Sequence, residues 1–143
     1  MNDLVALARQ GLTVDALEAA MRLETPVIIE PVHHFADGLY AREITIPAGT
    51  LLTGKIHRTQ HLNVISRGRI SVWTAGDEVR EIVAPFTFVA HPGTRRVGFA
   101  HEETVWTTIH ATRETDLDRL EAELIQPAPV LAAPDPQEAL CRG

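Results

Sequence analysis

Between Gly49 and Gly68 the chain reads GTLLTGKIHRTQHLNVISRG, and within this stretch stand Lys55, His57 and His61. Neutral imidazoles are good ligands for zinc, iron, nickel or copper, whereas a cationic side chain beside them draws a carboxylate or phosphate. Spacing sets a condition on the first chemistry. On one uninterrupted strand, residues four apart share a face but lie about 13 Å from each other at about 3.3 Å per residue, too far for a single ion. The polar triplet Arg58-Thr59-Gln60 offers a place for the chain to reverse, and with that reversal His57 and His61 face each other. Of the 13 Lys and Arg residues, Lys55 is the one lysine, and it falls inside this stretch.

The surrounding pattern is β-type. From Pro26 onward, VIIEPVHHF, LYAREITIP, LLTGKIH, LNVIS, RISVWTA, EVREIVA, FTFVAH, RRVGFAH and TVWTTIHA follow at close spacing. Many are separated by turn chemistry: Ala36-Asp37-Gly38, Pro47-Ala48-Gly49, Ala75-Gly76-Asp77 and Pro92-Gly93-Thr94. Many short strands without helices between them predict an all-β sandwich or barrel over residues 26–112. Residues 1–25 carry two short apolar-periodic runs, Leu4, Leu7, Ala8 and then Val14, Leu17, Met21, and predict an N-terminal helical segment. Their acidic balance argues for packing rather than for a DNA-reading helix-turn-helix. At the other end, Thr115-x-x-Asp118 predicts a capping box opening a helix within 113–126, with Leu117, Leu120, Leu124 and Ile125 on one face. Four prolines then predict an irregular, mobile tail over 127–143.

The frame Gly49-x5-Lys55-x-His57-x3-His61-x6-Gly68 resembles the first motif of the cupin superfamily, Gly-x5-His-x-His-x3-4-Glu-x6-Gly. Gly49, His57 and Gly68 are in place, Lys55 occupies the first histidine slot and His61 the glutamate slot. The second cupin motif, Gly-x5-Pro-x-Gly-x2-His-x3-Asn, can be laid over Pro85 to Ala100, where Gly93 matches and Arg96 occupies the histidine slot. The resemblance spans roughly residues 35–112. It implies an antiparallel jelly-roll barrel, here with flanking N- and C-terminal helices, and a barrel mouth holding Lys55, His57, His61 and Arg96 together. It also implies a divalent metal ion, with Zn, Fe, Ni or Mn all compatible, bound by His57 and His61. His101 is expected as a third ligand, with His91 as the other candidate on that side; for His101, His110 and the pair His33-His34 the plain alternative is a surface position. Lys55 and Arg96 are expected to clamp an acidic ligand, and since cupins commonly dimerise, a homodimer built on the terminal apolar stripes is expected.

Composition narrows the classes. With 143 residues, 45% hydrophobic and 22% charged, the chain supports one domain with a real core. A net charge of −6 argues against broad contact with nucleic-acid phosphates. No apolar run approaches the roughly 20 residues of a membrane span, and the first ten residues do not form a leader, so a cytoplasmic location is expected. The one cysteine, Cys141, leaves no intramolecular disulfide. Three functions fit: a metal-dependent cupin acting on a small polar or acidic molecule, a non-enzymatic protein that sequesters or senses an anionic metabolite or nucleotide, and a structural oligomeric subunit.

Overall fold

The computed structural model describes residues 27–74 and 78–126. The N-terminal helical segment, the proline-rich tail and the turn at 75–77 lie outside the described residues. Each of the nine expected runs forms a strand: β1 (Val32–Ala36), β2 (Leu39–Ile46), β3 (Leu51–Thr53), β4 (His61–Arg67), β5 (Arg69–Trp73), β6 (Arg80–Val83), β7 (Phe86–Ala90), β8 (Val97–Ala100) and β9 (Thr104–Ala111). They build a five-stranded sheet ordered β1-β2-β9-β4-β7 and a four-stranded sheet ordered β3-β8-β5-β6. Every strand pairing is antiparallel. The two sheets face each other as a jelly roll.

Side-chain alternation closes one end of the sandwich. Ile44 and Ile46 of β2, Ile65 of β4, Ile70 and Val72 of β5, Ile82 of β6 and Ala100 of β8 form one buried cluster between the sheets. Ile46, Ile65 and Ile70 are fully buried, each worth about 1.5–3 kcal/mol relative to exposure. The chain crosses from one sheet to the other at Gly68, a single residue between β4 and β5 with φ of +96°. A Cβ there would overlap the carbonyl oxygen of Glu103 and crowd Thr104. The last glycine of the motif frame is therefore required by the corner itself.

The other end of the sandwich is covered by helix α1 (Leu117–Leu124). Its N-cap is Asp116, whose carboxylate accepts from the backbone N–H of Arg119 at 3.1 Å, which corrects the expected cap at Thr115 by one position. Aspartate is the better acceptor toward the positive end of the helix. Leu120 and Leu124 pack on Tyr40 of β2 and are buried within their own barrel. Of the C-terminal stripe, Leu120 and Leu124 are thus spent on the barrel, while Leu117 is 48% exposed.

Candidate ligand and metal site

Three successive rows of side chains cross the inner face of the five-stranded sheet, and register alone gives them different chemistry. The row at the closed end is apolar, running Ile44, Trp106, Ile65 and Phe86. The next row runs His33, Arg42, Thr108, Asn63 and Phe88. The third carries Phe35, Tyr40 and His110, and His61 begins β4 beside His110. Between this face and the smaller sheet lies a cavity of about 310 Å³, and α1 contributes Leu120, Glu121 and Leu124 to its wall.

The reversal that the metal chemistry requires is present. His57 lies outside the named strands in an isolated bridge to Ile125, followed by the exposed residues Arg58-Thr59-Gln60, and His61 then opens β4. Backbone bonds hold the segment from two sides: Arg58 N–H donates to the Leu124 carbonyl at 2.7 Å, Gln126 N–H to that of Ile56 at 2.8 Å, and Gly93 N–H to that of His57 at 3.0 Å. The His57 and His61 ring centroids end 4.2 Å apart. His110 completes a triangle, 5.1 Å from His57 and 4.9 Å from His61.

All three imidazoles are held neutral. Burial is the main cause for His57, pushed down to about 3, with His61, His110, Arg42 and Lys55 adding repulsion. His110 is lowered to about 4, again by burial first, then by His61 and Arg42. His61 is lowered by burial and by Arg96, against a backbone bond to Thr59 that favours its charged form. That bond, 2.9 Å from Nδ1 to the Thr59 carbonyl, also fixes the tautomer: a carbonyl only accepts, so Nδ1 carries the proton and Nε2 keeps its lone pair. His110 Nδ1 is buried and has no hydrogen-bond partner.

Three imidazoles on one ion, with metal–nitrogen bonds of about 2.0–2.1 Å, place their ring centroids about 5 Å apart. The observed separations, the neutral state, the carbonyl behind His61 and the orphaned nitrogen of His110 fit such an ion. No three His, Cys, Asp or Glu side chains among the described residues converge on a ready coordination point. The rings overlap at tilts of 29° to 46°, so metal capture requires them to turn about their side-chain bonds.

The cations stand around this triangle. Lys55, Arg42 and Arg96 all line the cavity. Lys55 Nζ lies 3.3 Å from Glu121 on α1, and the Arg96 guanidinium lies 5.3 Å over the Phe88 ring. The structure thus brings together Lys55, His57, His61 and Arg96, as the motif frame implies. His101 is elsewhere. It follows β8 on the smaller sheet, its Nε2 is 2.6 Å from Ser71 Oγ, its ring stands edge-on to Phe99, and it does not line the cavity. The expected third imidazole is corrected to His110, because β9 lies between β2 and β4 and points its even-numbered residues inward. His91 is exposed beyond β7. Arg42, Asn63 and His110 were not singled out from sequence as site residues; the alternation Trp106, Thr108, His110 was the available signal, and it needed the strand order to become one.

No protein-family model matches the chain, and no curated protein matches it in sequence. Solved structures do. A protein with a double-stranded β-helix domain from Klebsiella pneumoniae superposes with a TM-score of 0.53 at 12% identity, covering 63% of this chain and 82% of that one. A cupin domain from Bordetella pertussis gives 0.50 at 15% identity over 62% of this chain and 98% of its own. A cupin superfamily protein from Desulfitobacterium hafniense gives 0.50 at 11% identity over 70% and 88%. What these proteins share with the present chain is the barrel, and the chain has the cupin fold, as its Gly49 to Gly68 frame implies.

Proposed function

We propose that this protein binds a small acidic molecule inside its barrel, beside a three-imidazole centre that takes one divalent metal ion. The observation that carries the reading is the triangle of His57, His61 and His110, neutral and 4.2 to 5.1 Å apart, in the wall of a cavity also lined by Arg42, Lys55 and Arg96. Zn, Fe, Ni or Mn would suit nitrogen donors to different degrees, and a bound ion would supply Lewis-acid polarisation to a ligand oxygen. The chain's own residues divide the remaining work. The guanidiniums and Lys55 attract and orient the acid, Trp106 and Ile44 give it an apolar floor, and α1 limits access of water at the histidine end. The test is elemental analysis of protein purified without a His-tag, alongside His57→Ala. Near-stoichiometric metal that falls by at least tenfold in the variant supports the reading. Stoichiometric metal that survives in His57→Ala and in His61→Ala refutes it.

A second reading, an anion-binding protein that uses no metal, draws support from the incomplete convergence of the three rings. Under it, affinity for an acid falls with salt, chelators do nothing, and Lys55 and Arg96 matter more than His57.

A further inference from the structure

The middle row of the cavity wall holds a donor whose direction is fixed and whose partner is missing. Asn63 is 3% exposed. Its side-chain oxygen accepts from Trp106 Nε1 at 2.8 Å and from Thr108 Oγ1 at 3.3 Å. An indole N–H can only donate, so the atom facing it must be Oδ1, and Nδ2 is left with two protons aimed elsewhere. Nδ2 is buried and unbonded. Leaving such a donor unsatisfied is costly, so a ligand oxygen is the natural partner.

A cation stands on either side of this donor, one from the row itself and one from the facing sheet. Arg42 lies two strands from Asn63, beyond Thr108, while Phe88, the neighbour of Asn63 on the other side, carries the Arg96 guanidinium over its ring. Neither arginine has a carboxylate within hydrogen-bond distance among the described residues; Glu121, paired with Lys55, also lines the cavity and acts on Arg42 only through space. Arg42 enters from β2, whereas Arg96 precedes β8 on the smaller sheet and holds its guanidinium over Phe88 of β7; at about 4.8 Å between adjacent strands, β2 and β7 lie about 14 Å apart. Two separated, unpaired cations with a neutral donor between them call for two separated anionic groups, not for one compact dianion. The apolar row beneath, with Trp106 and Ile44, suits a short carbon chain joining those groups.

We infer that the acid is a small dicarboxylate, bound with one carboxylate toward Arg42 and the other toward Arg96, and with an oxygen accepting from Asn63 Nδ2. This rests on the acidic-ligand reading above and adds the class of acid and the residue that selects it. Asn63→Asp is the sharpest probe. The variant keeps an oxygen for Trp106 and Thr108 but replaces the free donor by a negative charge.

Calorimetric titration of the full-length protein as purified, with the series malonate to adipate, with butyrate and with inorganic phosphate, separates the cases. One member of the series is expected to bind at least tenfold more tightly than butyrate or phosphate. Asn63→Asp, checked for an unchanged circular dichroism spectrum, should lose at least tenfold for that member, and Arg96→Gln should reduce its advantage over butyrate to less than threefold. Equal binding of butyrate or phosphate overturns the dicarboxylate assignment and leaves the acidic-ligand reading standing. Unchanged binding by Asn63→Asp overturns the role of Asn63. Binding of no anion at all overturns both readings; should Asn63→Asp not fold, Arg42→Gln and Arg96→Gln decide the assignment by the same comparison.

Discussion

Replacing Gly68 with alanine tests whether the corner between the two sheets is fixed by backbone chemistry. Two terms add. An L-residue at φ of +96° is strained, at a cost of about 1–2 kcal/mol. The new Cβ also overlaps the backbone of Glu103 and Thr104 at the start of β9, where no flexible side-chain end can yield. Thr104 is fully buried, its hydroxyl donates to the Glu102 carbonyl at 2.9 Å, and the adjoining Arg69 carbonyl accepts from His101 N–H at 2.9 Å, so relief means shifting paired backbone. Overpacking of this kind costs about 1–3 kcal/mol more. Gly38 is the internal control: its φ is +75°, but nothing lies within 4 Å of its would-be Cβ, so Gly38→Ala bears the conformational term alone. Urea unfolding of the two variants should therefore differ by about 1–3 kcal/mol, with Gly68→Ala the weaker. Equal losses, or a Gly68→Ala variant within 0.5 kcal/mol of the parent (about the scatter of neutral surface changes), would refute the close approach as the reason for glycine.

Leu124→Ala removes a side chain that is 3% exposed and seals α1 onto Tyr40, and should cost about 2–5 kcal/mol in the same assay; a loss below 1 kcal/mol, the ordinary surface range, would show that α1 is not part of the cooperative core. In metal-free protein, stability should fall as pH drops from 7 to 5. His57 and His110 take up protons near 6.5 when unfolded but only near about 3 and about 4 when folded, so the unfolded chain binds more protons across that window. The contribution is present above 6.5 and is lost toward acid at a rate of up to about 1.4 kcal/mol per pH unit for each histidine. Identical unfolding free energies at the two pH values, or an undiminished slope in His110→Gln, would contradict the burial of these rings.

The barrel was legible in the sequence because turn residues and β-branched runs are local signals: LYAREITIP and TVWTTIHA each announce a strand without help from the rest of the chain. The motif glycines were legible for the same reason, since Gly49 and Gly68 both sit at positive φ. The site was legible only along the chain. Lys55, His57 and His61 fall within one short segment, whereas His110 and Arg42 enter through strand order, with β9 placed between β2 and β4. Asn63 illustrates the limit most sharply. As a residue type in LNVIS it is unremarked, and it becomes informative only once the Trp106 indole is seen to fix its amide. His101 was the converse case, a histidine close in sequence to the second motif whose strand belongs to the smaller sheet and whose ring is occupied by Ser71.

A crystal of the full chain soaked in a zinc salt, with anomalous diffraction recorded on both sides of the zinc edge, tests the central claim most directly. One strong peak is predicted within about 2.0–2.1 Å of a nitrogen from each of His57, His61 and His110, with the rings turned from their present overlap. A peak at the exposed pair His34 and Glu43 instead, or an ordered His57, His61 and His110 triangle with no peak at saturating zinc, would contradict it.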